Sequence, residues 1–196
     1  MYFILAFAFL VPSALAISEE SDSGDVPTLR DLTDSTYGNE EGEVPIDVPR
    51  MSDLLVFLNS TDKIWMYLRT KDDETSCISN KEISLTRYTY TFTREYTQNQ
   101  RKYTTTLTAA LSKGGKEGPV MSINYGQTTV VYTVRNIHVN ENCAVLTFTE
   151  KGKTECELYL WENKVDDTTP RACEKVYDKL CVGKYMPYNY WCKYQR

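Results

Sequence analysis

Six cysteines constrain this chain more than any other feature, because their number is even and five of them fall between Cys143 and Cys192. In a secreted chain an even number of cysteines predicts a disulfide framework, whereas in the cytosol the same residues suggest metal or redox chemistry. The chain has one histidine and no Cys-x-x-Cys motif, so a zinc site is poorly supported. Three disulfide bonds are therefore expected, although spacing alone does not choose among the many pairings that six cysteines allow.

The start of the chain indicates the oxidising compartment. Residues 1–16 are apolar and end in Ala14-Leu15-Ala16, with small residues at the two positions that a signal peptidase reads. A membrane anchor is the alternative, but the run is shorter than the roughly 20 apolar residues of a membrane span, and acidic residues follow it. We predict a signal peptide over residues 1–16 and a secreted, extracellular mature chain. Asn59-Ser60-Thr61 is then a candidate N-glycosylation site at Asn59.

Acidic residues are concentrated just after the signal. Residues 17–50 contain ten acidic and two basic side chains and little apolar content, which predicts a disordered or loosely attached arm. Of the 27 acidic and 22 basic residues in the chain, 17 and 20 remain for residues 51–196. The net charge of −5 therefore describes the arm, and residues 51–196 have the length of one domain.

The domain shows about eight short runs rich in Tyr, Thr and Val, which are typical of β-strands. The runs are residues 63–70, 81–96, 103–111, 120–125, 128–134, 137–139, 144–149 and 155–161. A short helix with Ser52 as N-cap precedes them, and a second helix beginning at Thr169 or Pro170 follows them. This order predicts a mainly β fold, an eight-stranded antiparallel up-and-down barrel with a helix at each end, rather than a sandwich. Such a barrel can hold one small ligand.

The last predicted strand carries the first candidate site. Side chains alternate along a strand, so Glu157, Tyr159 and Trp161 share one face, while Leu158 and Leu160 take the other. A carboxylate flanked by aromatic rings suits an organic cation, which makes the three residues candidates for ligand binding. Alternatively, Glu157 points to solvent or pairs with a basic residue of the barrel. The basic candidates are Arg69, Arg87 and Arg135.

Several segments resemble those of one known family, in which the motif Cys-Asp-aliphatic is followed by Glu-Leu-aromatic and then by a cysteine at the closing helix. Here Cys143-Ala144-Val145 is followed by Glu157-Leu158-Tyr159 and then by Cys173. The family's first helix and strand resemble four further segments, which are Asp53-Leu54-Leu55, Met66-Tyr67-Leu68, Asp72-Asp73 and Cys77. Over Met51 to Cys192 the chain resembles the tick salivary lipocalins of the histamine-binding-protein type, a resemblance that implies a lipocalin barrel.

The resemblance also implies a disulfide pairing. In the family, the cysteine after the first strand pairs with the last cysteine, which implies Cys77–Cys192 here. The cysteine that opens the motif pairs with the one beginning the closing helix, which implies Cys143–Cys173. Cys156 and Cys181 remain, so a third bridge between the last strand and the closing helix is expected.

The ligand residues follow from the resemblance as well. Family members that bind histamine or serotonin hold the ammonium group with carboxylates and stack its ring on aromatic side chains. Glu157 matches one such carboxylate, Tyr159 matches the neighbouring aromatic residue, and Asp72 or Asp73 falls near a second carboxylate. Ala144 stands where the motif has Asp, which removes one acidic ligand and puts a two-amine pocket in doubt. Further candidates to face the cavity are Tyr67, Tyr90, Phe92 and Tyr132.

These observations predict a secreted salivary lipocalin that sequesters a small host mediator and so serves evasion of host defence. A biogenic amine such as histamine or serotonin ranks ahead of a leukotriene or another fatty-acid mediator. An unpaired Glu157 in the pocket predicts amines, whereas an inward Arg or Lys predicts anionic lipids. A protein-binding inhibitor of host complement or haemostasis and a storage lipocalin are the alternatives.

Other classes of function find little support in the sequence. The common catalytic and phosphate-binding motifs are missing, so we expect no enzyme activity, no cofactor and no metal. The acidity and the signal peptide argue against a nucleic-acid partner. We expect a monomer that does not associate with membranes.

Overall fold

The computed structural model describes residues 46–167 and 171–195. The predicted signal peptide, most of the acidic arm, and the helix start predicted at Thr169 or Pro170 lie outside these residues. The first helix is α1, Met51–Leu58, and the strands then follow in chain order. They are β1 Ile64–Arg69, β2 Thr75–Leu85, β3 Thr89–Gln98, β4 Arg101–Gly115, β5 Gly118–Tyr125, β6 Thr128–His138, β7 Cys143–Glu150 and β8 Lys153–Trp161. Helix α2, Arg171–Leu180, and a short 3₁₀ helix at Tyr190–Tyr194 complete the order.

The eight strands form one closed barrel in which each strand pairs with the next in sequence and β8 returns to β1. The pairings are antiparallel throughout. The predicted mainly β barrel with a helix before and after it, bonded by disulfides, is therefore confirmed.

Two predicted strand boundaries are wrong. One error joins two strands and the other divides one strand, so the predicted number of strands is still eight. The run 81–96, for which the sequence predicts a bulge or bend between Leu85 and Tyr88, is two strands, because residues 86–88 form a turn at that point. The Thr86 hydroxyl oxygen accepts hydrogen bonds from the backbone N–H groups of Tyr88, at 3.2 Å, and Thr89, at 3.0 Å, a local bonding pattern that favours turns. Conversely, the predicted runs 128–134 and 137–139 are one strand, which passes through an irregularity in pairing after Val134.

Helix α1 covers one end of the barrel. It begins at Met51 after Arg50, not after Ser52 as predicted, because the Asp53 carboxylate accepts a hydrogen bond from the Arg50 backbone N–H at 2.8 Å. Its apolar side chains Leu54, Phe57 and Leu58 are buried in the cluster that fills the barrel. The helix therefore forms part of the interior that a ligand would meet.

A second apolar cluster lies on the outer side of the barrel. The outward side chains of β8, including Leu158 and Leu160, belong to it together with Val176 and Tyr177 of α2. Three disulfides stabilise this layer. They are Cys77–Cys192, Cys143–Cys173 and Cys156–Cys181, the pairing that the family resemblance implies.

One of these bridges joins α2 to β7 through Cys173 and Cys143, and another joins β8 to Cys181, the residue that follows the end of α2. Helix α2 is thus fastened to the strand that carries Glu157. In the part of the chain that the structure describes, no helix has the length and apolar character needed to cross a membrane.

Candidate functional site

The barrel interior contains a narrow cavity between α1 and the middle of the sheet. Its lining is mainly apolar and aromatic, and consists of Leu54, Phe57, Leu58, Ile64, Asn80, Tyr90, Phe92, Arg94, Met121, Ile123, Tyr132, Leu146 and Tyr159. The cavity volume is about 20 Å³, whereas one buried water molecule needs roughly 10–15 Å³ of such space. The interior is therefore filled almost completely by its own side chains.

The β8 alternation predicted from the sequence is confirmed. Tyr159 and Trp161 pack into the interior cluster, while Cys156, Leu158 and Leu160 pack into the outer one. Glu157 is only 4% exposed, and its carboxylate accepts a hydrogen bond from the Tyr159 hydroxyl at 2.7 Å. Tyr159 lines the cavity whereas Glu157 does not, so the carboxylate lies behind the Tyr159 hydroxyl.

The charged residue that lines the cavity is Arg94, which the sequence predictions did not include. It follows Tyr90 and Phe92 on β3 at a spacing of two, and all three side chains line the cavity. Its guanidinium donates to Asn80 Oδ1 at 2.9 Å, to the Tyr125 hydroxyl at 2.6 Å and to the Tyr159 hydroxyl at 3.2 Å. We call Asn80, Arg94, Tyr125, Glu157 and Tyr159 the interior polar cluster.

Burial and charge act differently on the two ionisable groups of this cluster. Burial raises the pKa of Glu157, although Arg94, the Tyr159 hydroxyl and Arg69 oppose the shift. Burial also disfavours the charge of Arg94, but Tyr159, Tyr125, Tyr132 and Glu157 outweigh it and raise the pKa of the guanidinium. The carboxyl group is thus pushed towards its neutral form while the guanidinium stays charged. The cluster has a cationic bias.

The other predicted cavity residues divide into two groups. Tyr90, Phe92 and Tyr132 line the cavity, and the Tyr90 and Phe92 rings stack with centroids 4.7 Å apart. Trp161 is half-buried, and its indole N–H donates to the Phe57 carbonyl at 2.9 Å. Trp161 therefore fastens α1 to the barrel and does not line the cavity.

Tyr67, Asp72 and Asp73 lie away from the cavity. Tyr67 belongs with Trp65 to the outer cluster and approaches Tyr188, with ring centroids 6.5 Å apart. Its expected inward orientation is wrong because, one residue from inward Met66, it takes the opposite face of β1.

The two aspartates belong to the loop that follows β1. Asp72 is exposed and accepts a weak hydrogen bond from the Glu74 backbone N–H at 3.5 Å. Asp73 makes a two-pronged ion pair with Arg69, at 2.9 and 3.0 Å. Arg69, one of the predicted partners of Glu157, is therefore already paired with Asp73. Asn59 is exposed at the end of α1, and its glycosylation stays a prediction.

The sequence contained a signal for Arg94 that was not used. The alternation that places Tyr90 and Phe92 inside the barrel also places Arg94 inside, two residues further along. The alternative partners proposed for Glu157 are engaged elsewhere. Arg69 pairs with Asp73 and Arg135 with Glu117. Arg87 lies over the exposed ring of Tyr88, 5.1 Å from its centroid.

Comparison with solved structures places the fold among lipocalins. The serotonin complex of AM182 superposes with a TM-score of 0.60 at 14% identity, covering 76% of this chain and 97% of that one. Japanin from Rhipicephalus appendiculatus, bound to cholesterol, gives a TM-score of 0.52 at 13% identity and covers 68% of this chain and 96% of its own. The cockroach allergen Per a 4 gives 0.54 at 13% identity, covering 77% and 98%. At these identities the likeness shows the fold.

The family itself is shown by a match in sequence. A search among curated proteins finds no match. The family model described as tick histamine binding protein, however, matches residues 48–194, a range that contains the whole barrel, α2 and all six cysteines. The chain belongs to the tick histamine-binding protein family.

Proposed function

We propose that the barrel binds and sequesters a small amphipathic host mediator, with the ligand's anionic head at Arg94 and its apolar body among the aromatic residues beneath α1. The observation that carries this proposal is the inward guanidinium of Arg94 on a cavity wall whose other residues, apart from Asn80, are apolar or aromatic. Arginine presents a permanent positive charge and several donors, which suit a carboxylate. A fatty-acid mediator has both the anion and the apolar body that such a wall requires.

The cationic bias of the interior polar cluster decides whether a fatty acid or a biogenic amine is the first candidate ligand. Burial pushes Glu157 towards its neutral form, and the carboxylate already accepts the Tyr159 hydrogen bond. Placing an ammonium group there would bring a second cation near Arg94. A fatty acid therefore ranks ahead of a biogenic amine, which reverses the order predicted from the sequence.

Amine binding is supported as a second candidate by one specific observation. Glu157 is buried and makes no ion pair within 4.0 Å among the described residues. A ligand ammonium that displaces the Tyr159 hydroxyl would supply the missing partner. The AM182 relative is described in complex with serotonin and japanin with cholesterol, so both polar and apolar ligands occur on this fold.

Binding requires the interior to expand. Ligand pockets usually measure about 300–1,000 Å³, far above the cavity volume found here. Neighbouring strands run in opposite directions, so β5 ends at Tyr125 on the side opposite α1. Tyr125 is 37% exposed and bonded to Arg94. Entry from the Tyr125 end, with movement of Tyr125 and Arg94 away from each other, would place the ligand's head beside the guanidinium.

The biological effect would be stoichiometric removal of the mediator from the host. The predicted signal peptide supports an extracellular site of action, and so does the engagement of all six cysteines in disulfides. Because each protein molecule would remove one ligand molecule, the effect would depend on both the amount of protein secreted and its affinity for the ligand.

Calorimetric titration tests the proposal. The purified protein is titrated with oleic acid, histamine and serotonin, and the titrations are repeated for Arg94→Gln and Glu157→Gln. Arg135→Gln is the matched control, because Arg135 pairs with Glu117 and is no part of the interior cluster. We expect oleic acid to bind, Arg94→Gln to weaken it by about 10–100-fold, the worth of a charged hydrogen bond, and the control to leave it unchanged.

Two results would contradict the proposed ligand class. One is equal binding of oleic acid by wild type and Arg94→Gln. The other is strong binding of histamine or serotonin that Glu157→Gln abolishes, with no heat from oleic acid, since this would restore the amine to first place. If none of the three compounds binds, the sequestration proposal itself fails.

A further inference from the structure

The first half of β4 has no strand beside it on the side of β5. Strand β4 pairs with β3 from Arg101 to Ala110, whereas its pairing with β5 begins only at Ala109. Residues 101–106 are also exposed. Within the described ranges, one edge of β4 over residues 101–108 therefore has no partner strand. We call it the free edge of β4.

The alternation of hydrogen bonds along β4 shows which backbone groups face the free edge. The Leu111 N–H donates to the Tyr88 carbonyl at 2.7 Å, so the odd-numbered residues of β4 direct their backbone groups towards β3. The register between β3 and β4 has no shift, and the alternation therefore continues to the start of β4. Lys102, Thr104 and Thr106 direct their backbone N–H and C=O groups to the free edge.

The free edge lacks the features that usually prevent an edge strand from pairing with another chain. Such features are proline, a bulge, charged side chains or a very short strand. Residues 103–108 read Tyr-Thr-Thr-Thr-Leu-Thr, with no proline and no charge, and their register with β3 contains no bulge. Threonine also suits an extended backbone. The free edge is therefore able to accept a further strand.

We propose that two copies of this chain associate through the free edge, with the two β4 strands antiparallel and Thr104 opposite Thr104. A two-fold interface requires a self-complementary surface, and this edge meets the requirement. Lys102 would lie opposite Thr106 at each end, so that the three residues of each copy exchange about six backbone hydrogen bonds. Pairing centred nearer Ala109 would meet β5. The inference goes beyond the proposed function, does not depend on it, and replaces the monomer expected from the sequence.

The charges on β4 favour a second copy in the antiparallel direction. The two copies of Lys102 would be four residues apart along the strands, about 14 Å at 3.4 Å per residue. This separation exceeds the Debye length of about 8 Å at physiological ionic strength. Each Lys102 also pairs with Glu95 of its own copy at 3.3 Å. Uncharged threonines would then occupy the centre of the interface, and the basic residues would lie at its two ends.

Opposite charges placed at Thr104 test both the surface and its register. Sedimentation equilibrium, from micromolar to sub-millimolar concentration, compares wild type with Thr104→Lys, Thr104→Glu and an equimolar mixture of the two variants. Wild type should show a monomer–dimer equilibrium. Each charged variant alone should raise the dimer dissociation constant about fivefold or more, because like charges directly opposite destabilise a strand pair. The mixture should recover the dimer, and exposed Thr154→Lys, the matched control on β8, should dimerise like wild type.

Thr104→Pro provides an independent test, because the N–H that proline lacks faces the free edge and not β3. The variant should stay folded in denaturant unfolding and dimerise at least tenfold more weakly, since the two hydrogen bonds at the centre of the interface are lost. An unfolded Thr104→Pro variant would show that this N–H is needed within the barrel and would overturn the proposal. The proposal also fails if wild type is monomeric at every concentration, if its dimer is unchanged in Thr104→Lys, or if the mixture of charged variants stays monomeric.

Discussion

Arg94→Met tests whether the interior polar cluster is one coupled unit. Methionine keeps much of the apolar stem but removes the charge and the three hydrogen bonds that the guanidinium donates. Two of these, to Asn80 and Tyr159, lie inside the barrel, whereas the bond to Tyr125 is near solvent and contributes less. With about 1.5–3 kcal/mol for each charged hydrogen bond, and with overlap between the two, we expect a loss of about 3–5 kcal/mol in unfolding free energy.

The second half of the cycle is Glu157→Gln. Glutamine can still accept the Tyr159 hydrogen bond, and burial already disfavours the carboxylate. The single substitution should therefore leave the unfolding free energy at neutral pH unchanged or raise it. In the double variant the uncompensated carboxylate is gone, so we expect it to be more stable than the sum of the two single effects by about 1–3 kcal/mol.

Urea unfolding followed by tryptophan fluorescence measures all four proteins, with stability compared at a common denaturant slope. Repeating the cycle at lower pH should give a smaller coupling, because the raised pKa of Glu157 favours protonation, and a protonated carboxyl group has no charge to interact with Arg94. Additivity within about 0.5 kcal/mol at neutral pH would show that the two groups act independently. That result would refute the electrostatic argument for the cluster.

Three further predictions concern the same barrel. Burial raises the pKa of Glu157 in the folded state, so the folded protein binds a proton more tightly at this site than the unfolded chain does. The stability of wild type should therefore fall, relative to that of Glu157→Gln, as pH rises above about 4.3. Thermal melts of the two proteins across the same pH range that show no difference would contradict this. The double variant Cys156→Ala/Cys181→Ala opens a loop of 25 residues. Its unfolding free energy, measured with denaturant, should be about 3.5 kcal/mol lower than that of wild type on the chain-entropy model. A decrease below about 1 kcal/mol would count against that model here. Ala144→Asp should weaken oleic acid binding at least tenfold by neutralising Arg94, whereas Ala144→Asn, which matches it in size, should do so much less; equal loss in calorimetry would indicate crowding and not charge.

The fold could be predicted from the sequence because its signals are local or are carried by motifs. Alternating side chains and turn residues predict most strand positions, and the resemblance of Cys143, Glu157-Leu158-Tyr159 and Cys173 to a known motif indicates the family. The errors at residues 86–88 and around Val134 have one cause. A turn made by the Thr86 side chain and an irregularity in pairing both interrupt alternation, and one residue of shift in a strand is hard to place without its partner strand.

The site was predictable only in part, because its partners come from distant strands. Glu157 and Tyr159 are predicted by alternation and by the family motif, whereas Tyr90, Phe92 and Tyr132 are candidates chosen from the aromatic residues of the barrel. The contacts of Arg94 with Asn80 and Tyr159 span 14 and 65 residues, and barrel closure is what brings these groups together. A charged residue is also assumed to face solvent unless its partner is known, and for that reason the alternation that marks Arg94 as inward was overlooked.

Two residues together change the charge of the barrel interior. They are Ala144, where the family motif has Asp, and Arg94. Ala144 is fully buried in the interior cluster and lies opposite Tyr159 in the register of β7 and β8. A carboxylate at that position would lie on the same inner face as Tyr159, whose hydroxyl accepts a hydrogen bond from Arg94, and would add a negative charge to this part of the interior. With alanine there, Glu157 is the remaining acid of this part of the interior and is held by Tyr159, so the charge of Arg94 is left for a ligand. Membership of a family named for histamine is therefore consistent with the barrel and its disulfides, while the proposed ligand class rests on the residues at 94 and 144.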